Sequence, residues 1–438
     1  MERKILRSMN TKPEHLEVLD SRRLFALALL SIVVGAFVGL VGSSFRILLS
    51  RADLWRTYLI ERSHVLGWIG VPVVVCSIAL IGAFAAWLVF RFAPQATGSG
   101  VPNVERELKV VLSGNTLPTI VVKFVGGILA IGGGFALGRE GPTVQMGGGI
   151  GQLVGRIFGR NLDESRALLG AGAGAGLATA FNAPIAGSIF VLEELFGSFS
   201  VPMAITTLGA SASAICVSRV FLGQLPDFRV PPLEFADFGV LPVSILLGIV
   251  MGLVGVCYNR CILAGLRLTQ RFTGLRGTLR AAVIGALVGL VGWFAPELIG
   301  GGDALTQKTL GTALPLTLLA GVFLLRFFLG PVCYAGRTPG GLFAPLLVIG
   351  SQGGLLFFVF WSHVVPVVQA VPQQFAIVGI AGLFAAVVRA PVTGIILAVE
   401  LTGSFPLFLP MLGAAFAAAA TASVLKEPPI YDSLRNTK

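Results

Sequence analysis

Apolar residues run through this chain in blocks too long for the helices of a water-soluble domain. The runs 24–42, 65–90, 240–258 and 279–296 each approach or exceed the ~18 residues that mark a membrane-crossing helix. Lipid offers the backbone no hydrogen bonds, so the runs are expected to be helical. One start signal recurs inside apolar sequence: glycine, three residues, proline, at Gly98–Pro102 (GSGVP), Gly138–Pro142 (GREGP) and Gly341–Pro345 (GLFAP). Proline suits a first helical turn because the N–H it lacks would be unpaired there. A helix that begins within a hydrophobic region aims free N–H groups, and about half a positive charge, at whatever lies ahead, which favours an anion. Packing glycines are the plainer alternative. Gly114–Pro118 and Gly311–Pro315 lie beside polar connectors and read as ordinary helix starts. Segments 102–112 and 341–362 read as short or broken helices, so tilted and half-length elements are expected.

The pattern occurs twice. Phe92–Gly100 (FAPQATGSG) returns as Phe294–Gly302 (FAPELIGGG), 202 residues on; Lys123-Phe124 returns as Arg326-Phe327, offset 203. Gly138, Pro142 and Gly147 return as Gly341, Pro345 and Gly350 at offset 203, and Ala183-Pro184, Gly187 and Glu193 as Ala390-Pro391, Gly394 and Glu400 at offset 207. Blocks in one order at nearly constant offset indicate internal duplication.

Composition places the duplication in a membrane. The chain is 55% hydrophobic and 12% charged, with a mean hydropathy of +0.87. Its net charge of +11 flanks the spans and forms no single patch, which argues against nucleic acid as a partner. Residues 1–21 are polar, so no cleavable signal peptide is expected. Arg3, Lys4, Arg7, Lys12, Arg22 and Arg23 precede the first span and put the N terminus in the cytoplasm. The connector 51–63 mixes Arg51, Arg56 and Arg62 with Asp53 and Glu61. Its counterpart, 259–280, carries Arg260, Arg267, Arg271, Arg276 and Arg280 and no acid. By the positive-inside rule 259–280 is cytoplasmic and 51–63 external, so the halves run in opposite directions. Inverted repeats with interrupted helices are a secondary-transporter architecture. The expected organisation is a cytoplasmic segment 1–21, a first repeat 22–222, a linker 223–238, an inverted repeat 239–425 and a cytoplasmic tail 426–438, with both termini inside. Cys76, Cys216, Cys257, Cys261 and Cys333 lack metal-ligand spacing and read as small buried hydrophobes; no metal or other cofactor is expected.

Four acids lie deep in apolar sequence: Glu140, Glu193, Glu194 and Glu400. A charge at the bilayer centre costs ~2.5–3.5 kcal/mol on insertion scales, so each needs a reason. Glu193 and Glu400 are repeat equivalents, which suggests a shared structural role such as bonding backbone at a helix end. Glu140 and Glu194 face Phe343 and Leu401 in the other repeat, and acids that break the symmetry are the stronger functional candidates. Glu140 opens a helix of the anion-attracting kind. Its carboxylate there can stand in for an anion, and protonation would release it. A salt bridge to Arg139 is the alternative, as a solvated helix end is for Glu194. Lys123 and Arg326 either hold a positive potential or pair with Glu193 and Glu400. Arg139, Arg337 and Arg389 border the turns and are placed at the mouths of a pathway. An enzyme reading has little support: His15, His64 and His363 have no ligand spacing, and the surroundings of Ser351 only approximate a nucleophile elbow.

GSGVP, GREGPTVQ and GLFAP in this order, with AFNAPIAGSIFVLEE and a late tyrosine, resemble the CLC family of chloride channels and proton/chloride antiporters. The resemblance covers nearly the whole chain and implies an all-α polytopic membrane fold, an inverted repeat with tilted, broken and half-length helices, assembled as a homodimer. It implies that Ser99 and Tyr431 offer hydroxyls, and Leu342 and Phe343 backbone N–H groups, to a central chloride, within motifs that include Gly98 and Gly100. It also implies that Glu140 is the outer gate and proton carrier, with the N–H groups around Arg139 and Gly141 lining an outer site, and that Glu194 is the inner proton-transfer acid. Serine at position 99 is the choice associated with chloride. Chloride/proton antiport across a bacterial inner membrane is therefore expected, with a passive chloride-selective channel as the alternative. One departure stands out: where the family often reads Ser-Gly-x-Pro-Gly-Gly, this chain has Gly336-Arg337-Thr338-Pro339-Gly340-Gly341. The few residues after Tyr431 also leave the nucleotide-binding regulatory domains of many eukaryotic members unexpected here.

Overall fold

A computed structural model describes residues 21–109, 116–235, 239–272, 274–311, 315–364 and 371–436. The expectations for Arg3, Lys4, Arg7, Lys12, His15 and Gly114 lie outside the described residues. The described chain is helical throughout, and its helices fall into two matching series. The first comprises α1 (Ser21–His64), α2 (Gly70–Phe92), α3 (Val101–Lys109), α4 (Thr116–Gly132), α5 (Glu140–Ile157), α6 (Leu162–Phe181), α7 (Pro184–Phe190) and α8 (Val201–Leu222). The second comprises α9 (Val240–Thr269), α10 (Gly274–Phe294), α11 (Asp303–Gly311), α12 (Leu316–Ala335), α13 (Phe343–Val364), α14 (Pro372–Val388), α15 (Pro391–Thr402) and α16 (Phe408–Val424). A short α17 (Ile430–Asn436) follows. Among the described residues eight helices are long and apolar enough to cross a membrane, and the chain is a multi-pass membrane protein.

Three expectations are corrected. Of the five cysteines read as buried, Cys333 is buried, Cys261 is half-buried, and Cys76, Cys216 and Cys257 are exposed on the helix surfaces. Residues 51–63 are not a loop: α1 continues through them for 44 residues, about 66 Å at 1.5 Å per residue. That is far more than a ~30 Å hydrocarbon layer, so the charged stretch is the outer part of one long helix. Likewise 259–280 divides between the end of α9 and the start of α10. Segment 341–362 is not broken, since α13 runs from Phe343 to Val364 without interruption. The nine residues of α3 are short, as read.

Glycine sets how closely the helices pack. Gly147, Gly151 and Gly155 repeat every fourth residue along one face of α5. A Cβ on Gly147 or Gly151 would run into the backbone carbonyl of Gly172 or Leu168 on α6. The second series repeats the contact, with Gly350 and Gly354 of α13 against Gly379 and Phe375 of α14. Small residues at four-residue spacing let membrane helices approach to van der Waals contact of their backbones.

Reciprocal contacts reveal the relation between the halves. Gly138 N–H donates to Gly341 O at 2.9 Å, and Gly341 N–H to Gly138 O at 2.7 Å. Glu193 accepts from Val392 and Thr393 N–H at 3.1 and 2.7 Å, and from the Thr393 hydroxyl at 2.7 Å. Glu400 accepts from Ile185 and Ala186 N–H at 3.1 and 2.7 Å. The donors are repeat equivalents, as are the acceptors. When i touches j′ and j touches i′, the surfaces are related by a two-fold. Here that two-fold lies within one chain, and each half's glutamate caps the other half's proline-started helix.

Candidate ion pathway

At the centre of the two-fold the motif turns converge. Gly340 N–H donates to Gly98 O at 3.1 Å, which joins the GSGVP turn to the bridge between Gly138 and Gly341. Helix α5 opens at Glu140 and α13 at Phe343, each with its motif proline on the third residue. Two buried cations hold the turns that lead in. Lys123 Nζ donates to Ala96 O at 3.0 Å and Gly98 O at 2.6 Å. Arg326 donates to Leu298, Gly300 and Gly301 carbonyls at 3.0, 2.9 and 3.1 Å. Carbonyls tied to these cations turn their peptide N–H groups the other way. Neither cation pairs with Glu193 or Glu400, whose carboxylates are taken up by the crossed helix caps; that alternative is set aside.

Glu140 is 1% exposed and lies across the repeat boundary. Its Oε1 accepts the N–H of Phe343, the first residue of α13, at 2.6 Å, while Oε2 has no hydrogen-bond partner. A Cβ on Gly138 or Gly341 would collide with this carboxylate. Glu140 thus occupies an anion's place at a helix N-terminus, where dipole and free amide favour negative charge. The salt bridge to Arg139 does not form. Arg139 turns away to Asp227 at 2.6 Å, Asp303 at 3.0 Å and the Ala180 carbonyl at 2.8 Å, with Arg46 on the other side of Asp227 at 2.8 Å. Two better-placed carboxylates in the linker and at the start of α11 compete for the guanidinium and leave Glu140 to the amide.

Ser99 and Tyr431 are buried, and their hydroxyls face each other with no well-aligned hydrogen bond to any described residue. Buried hydroxyls are seldom left in that state. Gly141 stands between Ser99 and Gly341: a Cβ there would meet the Ser99 carbonyl and hydroxyl. Leu342 and Phe343 are fully buried. The Phe343 ring lies 4.7 Å from Phe384, 5.5 Å from Phe190, 6.1 Å from Tyr431 and 6.4 Å from Phe181, centroid to centroid. Gly98, Ser99, Gly100, Glu140, Gly141, Leu342, Phe343 and Tyr431 therefore share one buried centre, with Arg139 at its rim.

Glu194 lies apart from that centre. After α7 the helix loosens into a π turn over Val191–Phe196 and stops at Gly197 with φ +64°. The charges that act most strongly on Glu194 are those of Glu105, Asp432, Glu193 and Lys109. Glu105 in turn binds Arg435 of α17 and Lys109. This places Glu194 on the side of the molecule that carries the tail. Arg389, expected at a pathway mouth, instead fastens the end of α16: it donates to Ala419 O at 2.9 Å and Glu427 O at 2.7 Å. Ser351 donates to Val348 O at 3.0 Å within its own helix, a packing role.

The sequence reading missed the Arg46–Asp227–Arg139–Asp303 cluster and Tyr334, whose hydroxyl accepts the Ser99 N–H at 3.4 Å. Asp227 carried a signal, as an acid in a linker opposite an unmatched arginine. Tyr334 carried only its place before the third motif.

The sequence profile described as voltage gated chloride channel matches residues 81–423. The H(+)/Cl(-) exchange transporter ClcA of Vibrio cholerae serotype O1 is 36% identical over 420 residues, covering 94% of this chain and 89% of the relative. The protein of the same name from Salmonella paratyphi B is 36% identical over 419 residues, covering 93% and 88%. Among solved structures, a slow cyanobacterial Cl-/H+ antiporter superposes with a TM-score of 0.90 at 32% identity, covering 94% of this chain and 97% of that one. A CLC-type fluoride/proton antiporter shares the fold, with a TM-score of 0.76 at 23% identity over 94% of this chain and 98% of that one.

Proposed function

We propose, from the premise that the chain belongs to the voltage gated chloride channel family, the residues by which it works as a chloride/proton antiporter. The protein is a transporter, not an enzyme, and exchanges chloride for protons. The observation that carries the assignment is the 2.6 Å hydrogen bond from Phe343 N–H to Glu140 Oε1. An ionised carboxylate on a helix-start amide holds the place of a mobile anion. Protonation removes the charge that holds it there, and the side chain leaves. Chloride then takes the amides of Leu342 and Phe343 and the hydroxyls of Ser99 and Tyr431, with Gly98, Gly100, Arg139 and Gly141 shaping the turns around it. Hydroxyl and amide donors suit a large, weakly hydrated anion because they offer partial charge without a permanent ion pair. Glu194 passes protons between Glu140 and the tail side. One residue, Glu140, is then both gate and carrier, which couples the two fluxes.

The setting of this reading is a bacterial inner membrane, with both termini in the cytoplasm and a homodimer embedded in lipid. Chloride and protons are the substrates, and no metal or other cofactor takes part. Reconstituted in liposomes under a chloride gradient, the protein should drive protons uphill. Chloride flux with no proton movement would instead favour a passive chloride-selective channel.

A further inference from the structure

Arg337 occupies a backbone position that suits glycine. Its φ is +57°, a left-handed conformation in which a Cβ crowds the neighbouring carbonyl. Three other non-glycine residues share a positive φ: Asn182, Arg389 and Lys426. Asn182 and Arg389 have structural work for their side chains, since Asn182 donates to Leu225 O and Arg389 to Ala419 and Glu427 carbonyls. Arg337 makes no side-chain hydrogen bond or ion pair with any described residue. Its N–H alone is engaged, with Tyr334 O at 3.1 Å. A strained arginine with no structural partner points to a use for the free guanidinium.

The guanidinium has a place to act. Arg337 lines a cavity with Gly98, Gly100, Gln270, Tyr334 and Leu434, and no acidic side chain contributes to its wall. Gly98 and Gly100 flank Ser99, and the Tyr334 hydroxyl accepts the Ser99 N–H. Leu434 belongs to α17, so the cavity lies on the tail side. Arg280 adds a second positive charge near Arg337, but spends its own N–H groups on Thr269 O at 2.8 Å and Phe272 O at 2.9 Å. A concave wall of one sign raises the local concentration of the opposite ion, and guanidinium is weakly enough hydrated to exchange water for a weakly hydrated anion.

We propose that Arg337 captures small monovalent anions at the tail-side cavity and sets the affinity with which they reach Ser99. This rests on the reading that Ser99 lines the anion pathway. It adds a residue at which this chain departs from the Ser-Gly-x-Pro-Gly-Gly that the family often has, at a turn position where a bare glycine would satisfy the backbone.

The test is the chloride dependence of exchange by the full-length protein in liposomes at low ionic strength, comparing wild type, Arg337→Gly and Arg337→Lys. Glycine suits the left-handed turn, so the first variant removes charge without straining the loop; Arg337→Asn, also at ease there, repeats the measurement should the glycine variant melt early. The expected result is an apparent KM for chloride raised about threefold to tenfold in the uncharged variants, with the maximal rate little changed. Arg337→Lys should recover most of the affinity, and the gap should shrink as an impermeant salt shortens the screening length. Equal KM in wild type and Arg337→Gly, or equal losses in the glycine and lysine variants, would overturn the proposal while leaving the antiport reading intact. A wild-type protein that moves no chloride would overturn both.

Discussion

Glu140 and Glu194 carry the same functional group in different company, and the difference supports the separate parts proposed for them. Glu140 bonds an amide supplied by the opposite repeat; Glu194 has acids as its main charged neighbours, near the tail. Replacing Glu140 by glutamine removes both the negative charge and the proton carrier. We expect Glu140→Gln to keep chloride flux, to lose proton coupling and to make the flux indifferent to pH, measured with paired chloride and proton electrodes. Unchanged coupling would take Glu140 out of the mechanism. Glu194→Gln should keep chloride flux and lose proton flux, because the gate is untouched and only the proton route is cut. Both acids were legible in the sequence, because each breaks the repeat with an ionisable group in apolar surroundings. What sequence could not supply was the competition for Arg139. Asp227 and Asp303 lie far from it along the chain, and only folding brings them to 2.6 and 3.0 Å.

At the level of elements, the two crossed glutamates act as helix caps. Glu400 takes the N–H groups at the start of α7, and Glu193 those at the start of α15. Removing either leaves two amides short of a partner, at a cost of about 1–3 kcal/mol for each one kept from water. Glu400→Ala should therefore lower the melting temperature in detergent while the surviving fraction still couples chloride to protons; loss of coupling at unchanged stability would contradict a capping role. The glycine stripe makes a sharper demand. Gly172→Leu should abolish folded, monodisperse protein, since the added atoms meet the Gly147 carbonyl of α5. The helix starts were legible from Gly-x-x-x-Pro; the four-residue glycine spacing stands in the sequence too, but which helix each glycine meets does not. The π turn was not. Glu193 and Glu400 are 207 residues apart, yet the terminating glycines, Gly197 and Gly403, are 206 apart. The first repeat thus carries one extra residue beside Glu194. Such an insertion is absorbed by widening a helical turn, which hydropathy does not register.

On the scale of the molecule, duplication and inversion were legible because matched blocks and basic residues survive as pattern. The length of α1 was not, because a helix can carry charge beyond the lipid and hydropathy marks only where the apolar part stops. For the proposed homodimer, the apolar surfaces around 185–215 and 395–422 are the candidates to meet. Ile205 and Leu208 of the first, and Leu409 and Leu412 of the second, lie exposed on one chain. Light scattering in detergent should return twice the mass of one chain, and Trp at both Ile205 and Leu412 should halve it if these faces form the contact.

The bridge between Gly138 and Gly341 has a consequence for how the transporter turns over. Many inverted-repeat carriers expose their substrate to each side in turn by rocking one repeat against the other. Here the repeats are stitched together by paired backbone hydrogen bonds between the motif turns and, at the starts of α7 and α15, by a glutamate reaching each way. Rocking would tear the Gly138–Gly341 bonds, which are buried where water cannot replace them. We therefore expect the two halves to hold as a fixed frame, with the Glu140 carboxylate as the part that swings within it.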